Sequence, residues 1–371
     1  MKKEIGLLVV GAMVLGATGT AFADAAVADS TADQLQVSGS FRYQYRDNQD
    51  KAFDTSSTQN NFQEDVNLSW KANANTTFFG RVAGENANFG VKAPANANDF
   101  TMDEYGIKTT MGGWTASIGR QDAQLGQGGT FAAGGISPCT YFDGVILTNK
   151  LADINFTALA GKTTAFNATA AAITGTSVID GTTYLTGTAA APATVAEERW
   201  VGLDLNKDVT KNINVGMAFS NSKVDDDTAS ALGYVSPTTG SSYSSVYGTL
   251  KSGAMTYTAE YVKSNATTDN KAADVSAKYQ INAKNAFTVQ YFDIQQNSVD
   301  LINSTLGGIN QPNGSGFMGG YKGEFFSYDH TFNKTLSMNV QYYSLKAINA
   351  VGGANTTGTD GEVAASLKWA F

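Results

Sequence analysis

One histidine and one cysteine are all that this chain of 371 residues offers to nucleophilic or thiolate chemistry. His330 stands in Tyr328-Asp329-His330-Thr331 beside a turn. Hydrolysis needs a nucleophile, a base within hydrogen-bond reach and a third group that orients the base, and an Asp adjacent to a His in sequence supplies none of that geometry. Cys139 alone makes neither an intramolecular disulfide nor a cysteine-built metal site. The run Asp225-Asp226-Asp227 lacks the glycine and distal glutamate of a calcium loop. These observations argue against an enzyme and imply no cofactor and no metal. The remaining chemistry is charge at even spacing: Arg42 with Arg46, Arg81 with Glu85, Glu104 with Lys108. On a strand an even spacing puts both groups on one face, where they supply a field rather than a reaction.

Strands are what must carry them. In the first alternating stretch Leu35, Val37, Phe41, Tyr43 and Tyr45 fall on one face and Gln36, Ser38, Ser40, Arg42, Gln44 and Arg46 on the other. The same period of two recurs at 35–46, 62–71, 77–86, 100–111, 114–122, 140–149, 153–163, 197–206, 212–222, 243–252, 254–263, 272–281, 285–296, 317–330, 335–346 and 361–371, sixteen segments in all. Tight links such as Gly112-Gly113 and Asn282-Ala283-Lys284-Asn285 alternate with longer ones such as 47–61, 123–139 and 164–196. With 39 Gly, 5 Pro, 16 Tyr and 20 Phe, composition suits strands and turns. Beyond the first residues no apolar run approaches the ~20 needed for a membrane helix. A membrane protein of this kind must therefore close its sheet, because every backbone group in lipid needs a partner. A soluble sheet would not keep a polar face on nearly every strand. The balance of 25 basic and 33 acidic residues, net −8, leaves no basic stripe for nucleic acid.

The two ends agree. Met1-Lys2-Lys3, the apolar stretch Ile5 to Ala17 and Ala21-Phe22-Ala23 make the three parts of a secretory leader, expected over 1–23. Residues 24–34 form a short periplasmic lead-in and 35–371 the barrel. The final segment, with Val363, Ala365, Leu367, Trp369 and Phe371 on one face, resembles the closing strand of Gram-negative outer-membrane barrels. That resemblance implies recognition of Phe371 by the outer-membrane assembly machinery and makes Phe371 and Trp369 closure residues.

From 35 to 371 the chain resembles the sixteen-stranded general porins, most specifically at Ser117-Ile118-Gly119-Arg120-Gln121, followed by a glycine-rich stretch and Tyr141-Phe142-Asp143-Gly144. The resemblance implies an all-β transmembrane antiparallel barrel with short periplasmic turns, long extracellular loops, and a third loop folded into the lumen. It further implies a homotrimer in the bacterial outer membrane, surrounded by lipid and lipopolysaccharide, passing ions and small hydrophilic solutes. Parity places Arg42, Arg81, Lys322 and Lys368 on the pore wall with Glu85 and Glu104, and the resemblance implies Asp122 and Asp143 at the constriction. Alternation from Trp114 puts Arg120 on the apolar face, so a bulge near Gly119 is expected to return it to the lumen. A sugar-selective channel would need an aromatic ladder and an anion-selective one a denser basic ladder; neither is evident, so non-specific diffusion is expected. The alternatives are a substrate-selective porin for sugars or an anion, and a structural or adhesive surface protein.

Overall fold

The computed structural model describes residues 35–50, 55–87, 101–133, 141–167, 173–179, 182–187, 194–224, 241–299, 320–348 and 359–371. The segments expected as leader (1–23) and lead-in (24–34), Cys139 and the triple-aspartate run lie outside the described residues. The first strands are β1 (Leu35–Asp50), β2 (Thr55–Asn73), β3 (Thr76–Ala87), β4 (Thr101–Met111) and β5 (Trp114–Gln121). Two short strands follow, β6 (Ala123–Leu125) and β7 (Phe131–Ala133), then β8 (Phe142–Leu151) and β9 (Ile154–Asn167). A separate pair, β10 (Ile173–Ile179) and β11 (Thr182–Gly187), precedes β12 (Thr194–Thr210), β13 (Ile213–Val224), β14 (Ser241–Ser252) and β15 (Met255–Ser264). The chain ends with β16 (Lys271–Asn282), β17 (Asn285–Gln295), β18 (Gly320–Thr331), β19 (Leu336–Ala347) and β20 (Asp360–Ala370).

Sixteen of these strands, all but β6, β7, β10 and β11, pair antiparallel in one closed barrel, each beside its neighbour in sequence order. The short links hold because their residues accept left-handed backbone. Gly112 and Gly113 have φ of 59° and 84°, and Ala152 and Asp153 adopt 46° and 68° between β8 and β9, as a two-residue hairpin turn requires. The seam is made by β1 and β20, from Ser40 opposite Ala370 to Gln49 opposite Gly361. Gly39 and Phe371 then exchange both backbone hydrogen bonds at 3.1 Å, and the Phe371 and Trp369 rings pack around Phe41 at 5.7 and 5.8 Å.

Large apolar side chains such as Val37, Tyr43, Met217, Tyr257, Val275 and Leu367 are exposed and share one face, which is the outward one. Trp70, Trp114 and Trp369 stand on it near the short turns, the place of an interfacial girdle. Several strands run past the expected segments: β2 begins at Thr55 rather than 62 and β12 at Thr194 rather than 197. There β1 and β2 keep pairing through Asp50 opposite Thr55 although both faces have become polar. Backbone pairing extends the ladder where side-chain alternation has ceased to mark it. The inward face is polar over most of the circumference. One exception is an apolar cluster of Val262, Phe292, Ile294, Tyr321, Phe325 and Leu345, covered by Val299 from the segment after β17; a second lies on β8, β9 and β12 to β14.

Candidate functional site

Inside the barrel β6 and β7 form a small hairpin, Ala123 opposite Ala133 and Leu125 opposite Phe131. Leu125 and Phe131 are fully buried against inward-facing side chains of β8, β9 and β12 to β14, among them Phe142, Leu159, Trp200 and Tyr243. The Phe131 ring lies 4.6 Å from Trp200 and 5.7 Å, edge-on, from Phe142. Apolar burial alone is non-directional, so the tip is also fixed by directed bonds. Gly126 N–H and the Tyr247 hydroxyl both donate to Asp204 Oδ2 at 2.7 Å, and Asn206 holds Oδ1 at 2.9 Å. Gly129 N–H donates to Glu260 Oε2 at 3.0 Å, and Ser220 Oγ–H to the Thr130 carbonyl at 2.9 Å. A Cβ on Gly129 would stand 2.6 Å from both Glu260 Oε2 and Val262 Cγ2. Glycine there allows backbone to reach carboxylate.

This anchorage holds the hairpin on the β12–β15 wall, which in the strand order lies half a circumference from β1. On the β1 side basic groups are in excess on the wall, Arg42, Arg46 and Lys368 standing with the inward carboxylates Asp65 and Glu362. Arg42 is directly opposite Lys368 of β20 and donates to Gln63 Oε1, while Arg46 Nε–H donates to Gln44 Oε1 at 3.0 Å. At the root of the hairpin the charge is reversed. Arg81 is only 11% exposed and is shared by three carboxylates: Asp103 at 2.8 Å, Glu104 at 2.5 Å and Asp122 at 3.5 Å. One cation among three carboxylates leaves this corner acidic, and Asp122, 54% exposed, turns its charge to the open lumen. The lumen is thus bounded by basic groups on β1 and β20 and by acidic ones where the hairpin departs. Between low-dielectric walls such a separation focuses field across the bore.

Arg42, Arg81, Glu104 and Lys368 therefore stand on the inward register and Asp122 at the hairpin root. Glu85 is on β3 opposite Gln63, with its side chain outside the described residues. Three expected wall residues lie elsewhere. Arg120 does not return to the lumen, because β4 and β5 pair without a register shift from Met111–Trp114 to Tyr105–Arg120. Gly119 adopts φ of 136° with no residue inserted. Arg120 consequently shares the outward face with Trp114 and Ile118. Its partner there is Asp143, which parity also turns outward with Val145 and Leu147. Two hydrogen bonds of 2.8 Å join them, and Tyr105 and Tyr141 lie 5.7 and 5.4 Å from the guanidinium. Lys322 is opposite Asp293 and Lys346, on the face that carries Phe326 and Tyr342, and so is outward as well, with Glu324. Alternation runs unbroken through Gly323; the error lay in the choice of face, because Tyr321 and Phe325 are inward in the apolar cluster while Phe326 is outward.

Asp103 was missed. A bulge between β3 and β4, where Arg81 faces Glu104 and Val82 faces Met102, turns both Asp103 and Glu104 inward. Two adjacent carboxylates beside a lone arginine were the available signal, but strict alternation hides it. Asp204 and Glu260 were legible as inward residues, and only the fold shows that they hold the hairpin.

No family profile and no curated protein matches this chain. Solved structures do. OmpF from Salmonella typhi, in complex with daunomycin, is similar at 16% identity with a TM-score of 0.56, over 92% of this chain and 98% of that one. Engineered variants of the Rhodopseudomonas blastica porin are similar at 10% identity and a TM-score of 0.51, over 91% of this chain and all of theirs. At such identities the likeness is one of fold: this chain has the sixteen-stranded porin barrel.

Proposed function

We propose that the chain is a porin of the bacterial outer membrane, a water-filled channel for passive diffusion of ions and small hydrophilic solutes. The observation that carries this reading is a sixteen-stranded barrel whose inward register bears Arg42, Arg46, Asp65, Gln63 and Lys368 opposite a hairpin held to the far wall. A barrel of this strand number is too wide for side chains to plug. Inward aromatics support non-specific diffusion over a sugar path, because Trp200 and Tyr243 are buried with the hairpin and Tyr321 and Phe325 in the apolar cluster. They offer no open ladder to a solute.

The same reading includes a homotrimer, contact with membrane lipid and lipopolysaccharide, and delivery by assembly machinery that reads Phe371. The outward faces of β20 and β1 to β4 support a subunit contact: they bear no Lys or Arg among the described residues, but do bear Glu64 and the small residues Gly39, Gly80 and Gly84. Single-channel recording of the refolded protein in planar bilayers under a salt gradient tests the proposal. Stable steps that close in thirds under voltage are expected. A folded barrel without conductance would defeat the channel reading and favour a structural role.

A further inference from the structure

At the short-turn end of the barrel the inward register repeats one arrangement on opposite walls. Lys71 of β2 is opposite Thr77 of β3, which is itself opposite Lys108 of β4. Lys251 of β14 is opposite Thr256 of β15, itself opposite Lys278 of β16. Each row sets a hydroxyl residue between two lysines. Alternation along the strands turns them inward: Lys71 continues the face of Asp65, Lys108 that of Glu104, Lys251 that of Tyr247 and Lys278 that of Asp274. The central strands of the rows, β3 and β15, are the third and the eleventh of sixteen in barrel order. The rows therefore face each other across the bore.

All four lysines are exposed. Lys71, Lys108 and Lys251 have no ion-paired carboxylate among the described residues. Lys278 Nζ stands 3.5 Å from Asp329 Oδ2 with the two side chains 48% and 40% exposed, a pairing that water makes weak. Neither Thr77 nor Thr256 bonds another side chain among the described residues. Carboxylates collect elsewhere along the axis. Within four residues of the short-turn ends, the inward strand positions carry these four lysines, Lys150 and Lys368 against Asp208 and Asp329. Asp103, Glu104, Asp204, Glu260 and Glu362 lie nearer the long loops. In a chain of net −8, one mouth of the lumen is thus basic.

We propose that each row seats a phosphate-type oxyanion, so that the short-turn mouth holds solutes carrying two or more phosphate groups. The proposal rests on the channel reading above and names a class of solute that one mouth retains. Neighbouring strands lie about 4.8 Å apart, which puts the two lysines of a row about 10 Å apart at the backbone. Their flexible stems let both ammonium groups close on one phosphate. The threonine hydroxyl supplies a third donor from between them. Bonds from ammonium to phosphate are charge-assisted, and an anion between two lysines relieves their mutual repulsion. Low-dielectric walls strengthen the attraction at the mouth. Two rows at one end differ from a basic ladder along the bore. The rest of the path stays mixed in charge, so small ions of either sign still cross.

The test is current through the full barrel in planar bilayers, with sodium tripolyphosphate added to one compartment and, in a fresh membrane, to the other. Block is expected at about tenfold lower concentration from one side than from the other. The double variants Lys71→Gln/Lys108→Gln and Lys251→Gln/Lys278→Gln should each raise the blocking concentration on the sensitive side about fivefold. Thr77→Val/Thr256→Val, which keeps every charge, should raise it about threefold. Lys150→Gln/Lys334→Gln removes two lysines of the same rim outside the rows and should change it little. Equal block from both sides, or undiminished block in the row variants or in the threonine variant, would overturn the proposal. So would as large a loss in Lys150→Gln/Lys334→Gln, which would assign the block to diffuse rim charge. Calorimetric titration of the same barrel in detergent with tripolyphosphate separates this proposal from the channel reading. Binding without conductance defeats the channel alone, whereas normal conductance with neither binding nor block defeats the rows alone.

Discussion

Arg120 spends its charge on Asp143 outside the barrel, and a charge turned from the lumen and neutralised by a bidentate partner contributes little field within it. Arg120→Gln is therefore expected to leave the reversal potential in a salt gradient unchanged and to lower barrel stability by about 1 kcal/mol, the scale of a partly exposed pair. Arg42→Gln should shift the same potential toward cations. Arg81 differs from both. Its removal leaves Asp103, whose side chain is wholly buried, without its cation, and breaking a buried pair from one side costs about 3–5 kcal/mol. Arg81→Gln should unfold at markedly lower denaturant concentration, and its channels should be more cation-preferring. The inward positions of Arg42 and Lys368 were legible because alternation runs unbroken through β1 and β20. That of Asp103 was not, because a bulge changes the faces without any mark in hydropathy, and the outward position of Lys322 was not, because β18 carries apolar rings on both faces, so that alternation alone does not say which is inward.

The hairpin of β6 and β7 is an element whose place depends on its partners rather than on its own strands, each three residues long. Truncating Asp204 or Glu260 leaves the Gly126 or Gly129 N–H without its acceptor, and each such loss is worth about 1–3 kcal/mol at a buried site. Asp204→Ala combined with Glu260→Ala should free the tip while the barrel stays closed, and single-channel traces should show greater open-state noise. Unaltered noise would mean that the apolar contacts of Leu125 and Phe131 suffice. The seam behaves differently. A Cβ at Gly39 would meet the Asp65 carbonyl and stand 2.7 Å from the Phe371 ring. Gly39→Val should sharply reduce the folded fraction seen as heat-modifiable migration, while molecules that do close should conduct normally. Strand identity and the short turns were readable from period and glycine placement. The loop's docking on β12 to β15 was not, since it rests on contacts between residues far apart in sequence.

At the scale of the molecule, sixteen strands joined almost entirely by neighbour-to-neighbour hairpins leave one long-range pairing, that of β1 with β20. Each hairpin forms from local sequence, whereas the seam joins the two extremes of the barrel sequence, the kind of contact that slows folding most. Until it forms, the sheet has two unpaired edges, each a template for another chain. The Gly39–Phe371 bridge thus acts as a proofreading step. A polypeptide cut short of its final strand retains its open edges however well the preceding strands have paired, so one missing segment separates a sealed wall from a candidate for aggregation and proteolysis.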